Sequence, residues 1–287
     1  MKIAIGLPTT IPGVPGQRIV EWAQKADAGP FSSVGIIDRL VYPNYEPLVT
    51  LAAVAGVTKR VRLMTAVLLA PLRNPSVLAK QAASLDALSG GRLTLGLGVG
   101  GRPDDFAAAD ANIKTRGKDF AEQLALMKRI WAQEPFAPDQ GKIGPAPVHK
   151  GGPELLIGGF SEKAVARVGR WGDGYIASAG PKMAARLYEV VLRSWHECGR
   201  AGQPRFVAGS YFALGEDALE RGSVYVRHYY AFGGEAFAAS TAKSILASPE
   251  AIRQAMQAFA DVGVDEFQLA PTDPGLEQVD RLADIVG

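Results

Sequence analysis

RLMTAVLLAPLRNPSVLAKQAASLDALSGGRLTLGLGVG, residues 62–100, contains two apolar runs separated by a stretch of helical character. The first run, Val61 to Leu69, is apolar but for Arg62 and Thr65 and reads as a buried strand. Pro71 and Pro75 then bracket Arg73-Asn74 in a stiff loop. Ser76 to Leu88 reads as a helix that stops at Gly90-Gly91, and Leu93 to Val99 as the next strand. Strand, helix and strand in this order form a βαβ unit, which implies parallel pairing.

The same period runs through the chain. Further strands are predicted at Ile3 to Leu7, Ser33 to Ile37, Glu154 to Ile157, Gly174 to Ala177, Phe206 to Leu214 and Asp265 to Ala270. Further helices are predicted at Arg18 to Ala28, Pro47 to Val57, Gly117 to Ala132, Glu162 to Arg170, Ala184 to Arg200, Pro249 to Val262 and Leu276 to Val286. Eight strands, each followed by a helix, is the count of a (β/α)8 TIM barrel, whereas a doubly wound sheet usually has fewer strands. The expected architecture is one α/β barrel domain over residues 1–287. Residues 133–153, rich in Pro and Gly, form one excursion, and residues 215–247, after strand seven, form another over the barrel mouth. Tyr225, Tyr229, Tyr230, Phe232 and Phe237 crowd into the second.

Composition narrows the function. The chain has 287 residues, 47% hydrophobic and 21% charged, an ordinary globular balance. A net charge of +2 without a run of like charges argues against a nucleic-acid partner. No apolar stretch approaches the roughly 18 residues of a membrane span. MKIAIGLP is too short a burst for a signal peptide and reads as the first strand, so a cytoplasmic location is expected. Cys198 is the single cysteine, which rules out an intramolecular disulfide and a cysteine-based metal site. His149, His196 and His228 lack metal-ligand spacing, so no metal is expected.

In a barrel the loops after the strands share one face, and that face carries the site. Asp38-Arg39 follows strand two; Asp38 is a candidate acid or, alternatively, a loop cap with Arg39 as its surface partner. Gly96, Gly98 and Gly100 leave one face of strand four without side chains, so a neighbouring backbone or a flat ligand lies there. Gly158-Gly159-Phe160-Ser161 precedes a helix and is either an anion site of free backbone N–H groups or a tight turn with Ser161 as N-cap. Ser178-Ala179-Gly180 follows strand six.

Taken together these segments resemble the bacterial-luciferase-like superfamily of flavin- and deazaflavin-dependent oxidoreductases. The most specific part is NPSVLAKQAASLDALSGGRLTLGLGVGGRPDDF, residues 74–106. FSSVGIIDRL (31–40), EPLVTLAAVAGVTKRVRL (46–63), GGPELLIGGFSEKAVARVGRWGDGYIA (151–177) and VGVDEFQLAP (262–271) add support in order along the chain. The resemblance implies FMN or the deazaflavin coenzyme F-420 as cofactor. It also implies a non-proline cis peptide against the ring, whose counterpart is Ala66-Val67 after Thr65. Gly158, Gly159, Phe160 and Ser161 would hold the phosphate, the bare face of Gly96, Gly98 and Gly100 would leave room for the ring or its tail, and Ser178 would also touch the cofactor.

Members of the superfamily often carry a histidine beside the acidic residue after strand two, whereas this chain has Asp38-Arg39-Leu40. Asp38 or a group of the substrate itself is therefore the remaining candidate acid or base. The leading expectation is a monooxygenase using reduced FMN and O2 on a small organic substrate, with a flavin reductase as electron source. Its alternatives are F-420-dependent hydride transfer, a non-catalytic flavin-binding barrel, and a phosphate-handling lyase or isomerase. The last expects a Lys or Glu base at a strand end, and none is well placed. A homodimer is expected through the small-residue faces at Leu51, Ala52, Ala55, Ala79 and Ala83.

Overall fold

Strands that are apolar on both faces must be covered on both, which is the condition of a parallel barrel sheathed by helices. A computed structural model describes residues 1–287 and shows that arrangement. The chain runs β1 (Lys2–Gly6), α1 (Gly16–Ala28), β2 (Ser33–Ile36), α2 (Pro47–Val57), β3 (Arg62–Thr65), β4 (Leu68–Leu69) and α3 (Pro75–Leu88). It continues through β5 (Leu93–Gly98), α4 (Pro103–Ala108), α5 (Arg116–Trp131), β6 (Glu154–Gly158), α6 (Glu162–Val165), α7 (Arg167–Trp171), β7 (Gly174–Ala177) and α8 (Pro181–Glu197). It ends with β8 (Arg205–Phe212), α9 (Ala218–Tyr229), α10 (Glu235–Lys243), α11 (Pro249–Asp261), β9 (Glu266–Pro271) and α12 (Glu277–Val286). Each strand pairs in parallel with its neighbours, and β3 and β4 are two pieces of one stave beside β5, so the sheet closes with eight staves. No helix is long and apolar enough to cross a membrane.

The barrel interior is layered. At the N-terminal ends of the strands Arg205 pairs with Glu154 and Glu266, Arg62 reaches Glu154 at 3.1 Å, and Ser33 donates to Glu266 at 2.6 Å. Burial alone would raise the Glu154 carboxyl, but Arg205, Thr94 and Arg62 outweigh it and hold the pKa below the ordinary glutamate value. Above this polar layer Ala4, Met64, Leu156, Ile176 and Val207 form an apolar plug. The plug fills the middle of the barrel and separates this polar layer from the mouth at the C-terminal ends of the strands.

Several elements differ from the sequence reading. The run from Val61 to Leu69 is broken between Thr65 and Leu68. The helix expected from Glu162 to Arg170 is broken at Ala166 into α6 and α7. The excursion after β8 contains α9 and α10, and Ala218, Gly222, Tyr225, Val226 and Tyr229 make a buried stripe at helical spacing along α9. Leu51, Ala55, Ala79 and Ala83 are buried within the protomer, so they cannot form the expected dimer face; Ala52 alone of that set is exposed.

Candidate active site

The break in the third stave shapes the mouth. The Ala66–Val67 peptide is cis, as the resemblance implied. Thr65 Oγ1 donates to the Gly96 carbonyl at 2.7 Å, so its hydroxyl is committed to the neighbouring strand. A Cβ on Gly96 would come within 2.0 Å of the Thr65 carbonyl oxygen, so the neighbouring backbone occupies the bare face there. The Val67 side chain fills the same space one layer higher, 2.8 Å from a Cβ placed on Gly98 and 3.0 Å from one on Gly158. Ligand room therefore lies above Val67. Gly100 has φ +71°, a conformation that favours glycine, and a Cβ on it would meet Phe106 and Leu69.

Two buried ion pairs fix the loop after β2. Asp38 accepts from Arg73 at 2.6 and 3.1 Å and from the Leu69 N–H at 2.8 Å. Its partner is thus Arg73, not the adjacent Arg39. Arg39 reaches Asp105 at 3.1 Å, and Asp105 also accepts the Leu40 and Val41 N–H groups. Burial pushes the Asp38 carboxyl up, against the pull of Arg73. Burial also opposes the charge on Arg73, but Asp38 and Glu46 overcome that and raise its pKa. Both Asp38 oxygens are occupied, which suits holding the Pro71–Pro75 loop better than exchanging protons. The bracketed Arg73 is the other half of that clasp.

On the far rim, the N–H groups of Gly159, Phe160 and Ser161 make no hydrogen bond within the protein. Ser161 Oγ accepts the Ala164 N–H at 3.3 Å, so it is an N-cap as well. A Cβ on Gly159 would lie 2.6 Å from the Ala164 methyl, so only glycine lets the turn sit this close to α6. Phe160 is 68% exposed, and the pairing of Gly158 with Ile176 brings exposed Ser178 to the same rim.

Tyrosines line the cover. The Tyr225 hydroxyl meets Thr10 Oγ1 at 2.5 Å, and the Tyr230 hydroxyl meets that of Tyr211, on β8, at 3.1 Å. Arg102 donates to the Tyr229 carbonyl at 3.0 Å and lies 3.8 Å from the Phe232 ring centre, fastening the cover to the loop after β5. Burial, reinforced by neighbouring tyrosines, pushes Tyr211 and Tyr229 well above the ordinary phenol range; burial also raises Tyr225 and Tyr230. All four remain neutral at physiological pH. The sequence reading noticed the aromatic crowd but missed Tyr211, because its importance comes from where β8 ends relative to Tyr230.

The sequence model of the luciferase-like monooxygenase family matches residues 1–284. The chain belongs to this family. Among luciferase-like folds of known structure, an F420-dependent secondary alcohol dehydrogenase in complex with an F420-acetone adduct superposes with a TM-score of 0.82 at 17% identity, covering 99% of this chain and 97% of the other. The FMN-bound oxygenating constituent of 3,6-diketocamphane monooxygenase from Pseudomonas putida gives 0.70 at 20% identity, covering 94% and 91%. At such identities the likeness is one of fold. In sequence, the F420-dependent hydroxymycolic acid dehydrogenase of Mycobacterium tuberculosis is 30% identical over 199 residues, 64% of this chain and 55% of that protein. The chain spans 60% of the length of mycobacterial relatives that are 33% identical to it.

The residues present fit a flavin-type cofactor. Free N–H groups at Gly159 to Ser161 suit a phosphate. The cis Ala66–Val67 step, with Val67 packed over Gly98 and Gly158, gives the ring a surface to rest on, and Gly209 adds no side chain to the wall across from it. The described residues hold no group of three or more His, Cys, Asp or Glu placed to bind a metal.

Proposed function

We propose that this luciferase-like protein is an F-420-dependent oxidoreductase that interconverts a small alcohol and its carbonyl compound. The observation that carries this is the Tyr211–Tyr230 hydroxyl pair at the barrel mouth. The deazaflavin supplies or accepts the hydride, and the chain must then supply a proton to the developing alkoxide or take one from the alcohol. On this reading Tyr211 makes that hydrogen bond, with the Tyr230 hydroxyl behind it. The Gly159–Ser161 rim grips the phosphate, and α9 with its tyrosines excludes bulk water. The 30% identical F420-dependent relative supports the same reading. A cover lined by four phenols suits a polar substrate head better than the dry, apolar enclosure that monooxygenation needs.

A reduced-FMN monooxygenase with a separate flavin reductase is the second reading, because FMN offers the same rim the same phosphate. Titrating the protein with F-420 and with FMN, then adding short secondary alcohols or reduced FMN with O2, decides between them. F-420 reduction by alcohol supports the first; FMN binding with oxygen consumption and no F-420 binding overturns it. On the first reading Tyr211→Phe lowers kcat about tenfold with little change in F-420 affinity, as stopped-flow reduction would show.

The assembly is a homodimer through the outer face of α2 and α3. α2 has no charged residue, yet Val49 is 69% exposed, and Ala52, Ala53, Gly56 and Val57 also face outward. Val77 at 54% and Leu88 at 76% exposure extend the patch along α3. A helix apolar all round is normally covered on every side, here by a second copy. Light scattering is expected to give a dimer, and Val49→Lys with Ala53→Lys a folded monomer; a wild-type monomer at micromolar concentration removes the claim.

A further inference from the structure

The floor of the mouth holds a polar group with no role so far. Gln268, on β9 between Ala4 and Gly209, is only 5% exposed, and its side-chain amide makes no hydrogen bond within the protein. Gln278 shows the usual state of a buried amide, with Nε2 donating to the Leu214 carbonyl at 2.7 Å and Oε1 accepting the Leu214 N–H at 2.9 Å. The Gln268 amide instead lies over Gly35 of β2, where a Cβ would come within 2.3 Å of Nε2 and 2.9 Å of Oε1. Beneath it is the apolar plug, which offers no partner. An amide without a protein partner above an apolar floor is left to water or to a ligand that enters the mouth, and a ligand edge that matches it replaces that water at no loss of hydrogen bonding.

We propose that the Gln268 amide recognises the C(=O)–NH edge of the cofactor's pyrimidinedione ring, one amide atom donating and the other accepting. This rests on the reading of the mouth as a flavin or deazaflavin site. Strand order carries the geometry: β1 and β2, over which the amide leans, stand across the closed barrel from β6 and β7, whose loops form the phosphate rim. A ring tethered by its phosphate at that rim extends across the mouth, and its polar edge meets the Gln268 amide on the floor. A primary amide both donates and accepts, the complement of an imide edge. FMN and F-420 share that edge, so the contact recognises the ring class and does not select between them.

The test uses full-length protein, FMN, F-420 and the N3-methyl derivative of whichever ring binds. Gln268→Met keeps the length of the side chain and removes both polar atoms, and Gln268→Leu is the second variant should Met pack poorly. Wild type is expected to bind the ring roughly five- to tenfold more tightly than Gln268→Met, at equal thermal stability. Methylation at N3 is expected to weaken wild type and to cost Gln268→Met little more. The bound ring's absorption band is expected to shift between wild type and variant. Equal ring affinity in folded variants, or an equal methylation cost in wild type and variant, overturns the assignment while the cofactor reading stands. An effect confined to the substrate KM likewise overturns it and moves the amide to substrate recognition. Failure of wild type to bind either ring overturns both.

Discussion

Ser161→Asp is expected to lower affinity for the phosphorylated cofactor by roughly thirty- to hundredfold while leaving the fold intact. Aspartate is as good an N-cap as serine, so the Ala164 N–H keeps its acceptor. The new carboxylate would stand among the free N–H groups of Gly159 to Ser161, where the phosphate must sit. Coulomb repulsion at this solvent-facing rim is partly screened, so added salt should recover part of the loss. Riboflavin, which has the ring without the phosphate, serves as the control and should bind both proteins alike. Gly159→Glu would be a poorer test, because any side chain at 159 collides with Ala164. Equal FMN and F-420 affinities in wild type and Ser161→Asp, measured by fluorescence titration, would remove the rim from the phosphate site.

Arg205→Met should produce the largest loss of stability of any single change considered, about 3–5 kcal/mol, because it removes the shared partner of two interior carboxylates. For a chain of this size that corresponds to a fall in Tm of roughly 6–10 °C. Glu154 would keep Arg62 and Glu266 would keep Ser33, which places the loss toward the lower end. The pH dependence gives a second readout. In the wild type the folded Glu154 pKa lies below its unfolded value, so its contribution is present above the unfolded pKa and is lost as pH falls through the folded one. Without Arg205 that depression shrinks, so the variant should lose less stability than the wild type as pH falls from the ordinary glutamate range through the lowered Glu154 pKa. Calorimetry across that range checks both magnitude and sign. Arg205→Met should leave the cofactor rim untouched, because that rim lies at the opposite end of the barrel.

The barrel was legible from residue order alone, because a fold whose every unit repeats one local period needs only short-range signals: apolar runs for strands, Gly90-Gly91 and similar stops for helix ends. The face carrying the site followed directly, since parallel strands all end on one side. The glycines of β5 announced a close approach, but two candidates, backbone or ligand, stayed equal until Thr65 and Val67 were seen against them. Asp38 was visible as a polar residue ending an apolar strand, yet its partner Arg73 is 35 positions away, and spacing carries no information about such a pair. The small residues of α2 and α3 gave no direction for a contact face, and most of those expected there are buried within the chain, because a small residue packs equally well inward or outward. Tyr211 and Gln268 had no local signal at all. A tyrosine or glutamine in a strand is ordinary; what distinguishes these two is the layer of the barrel they occupy and what the neighbouring staves fail to offer them. Residue order decided the chain's architecture through local physics, and the closure of the sheet decided which polar groups face the mouth, because only closure brings strands distant in sequence around one space.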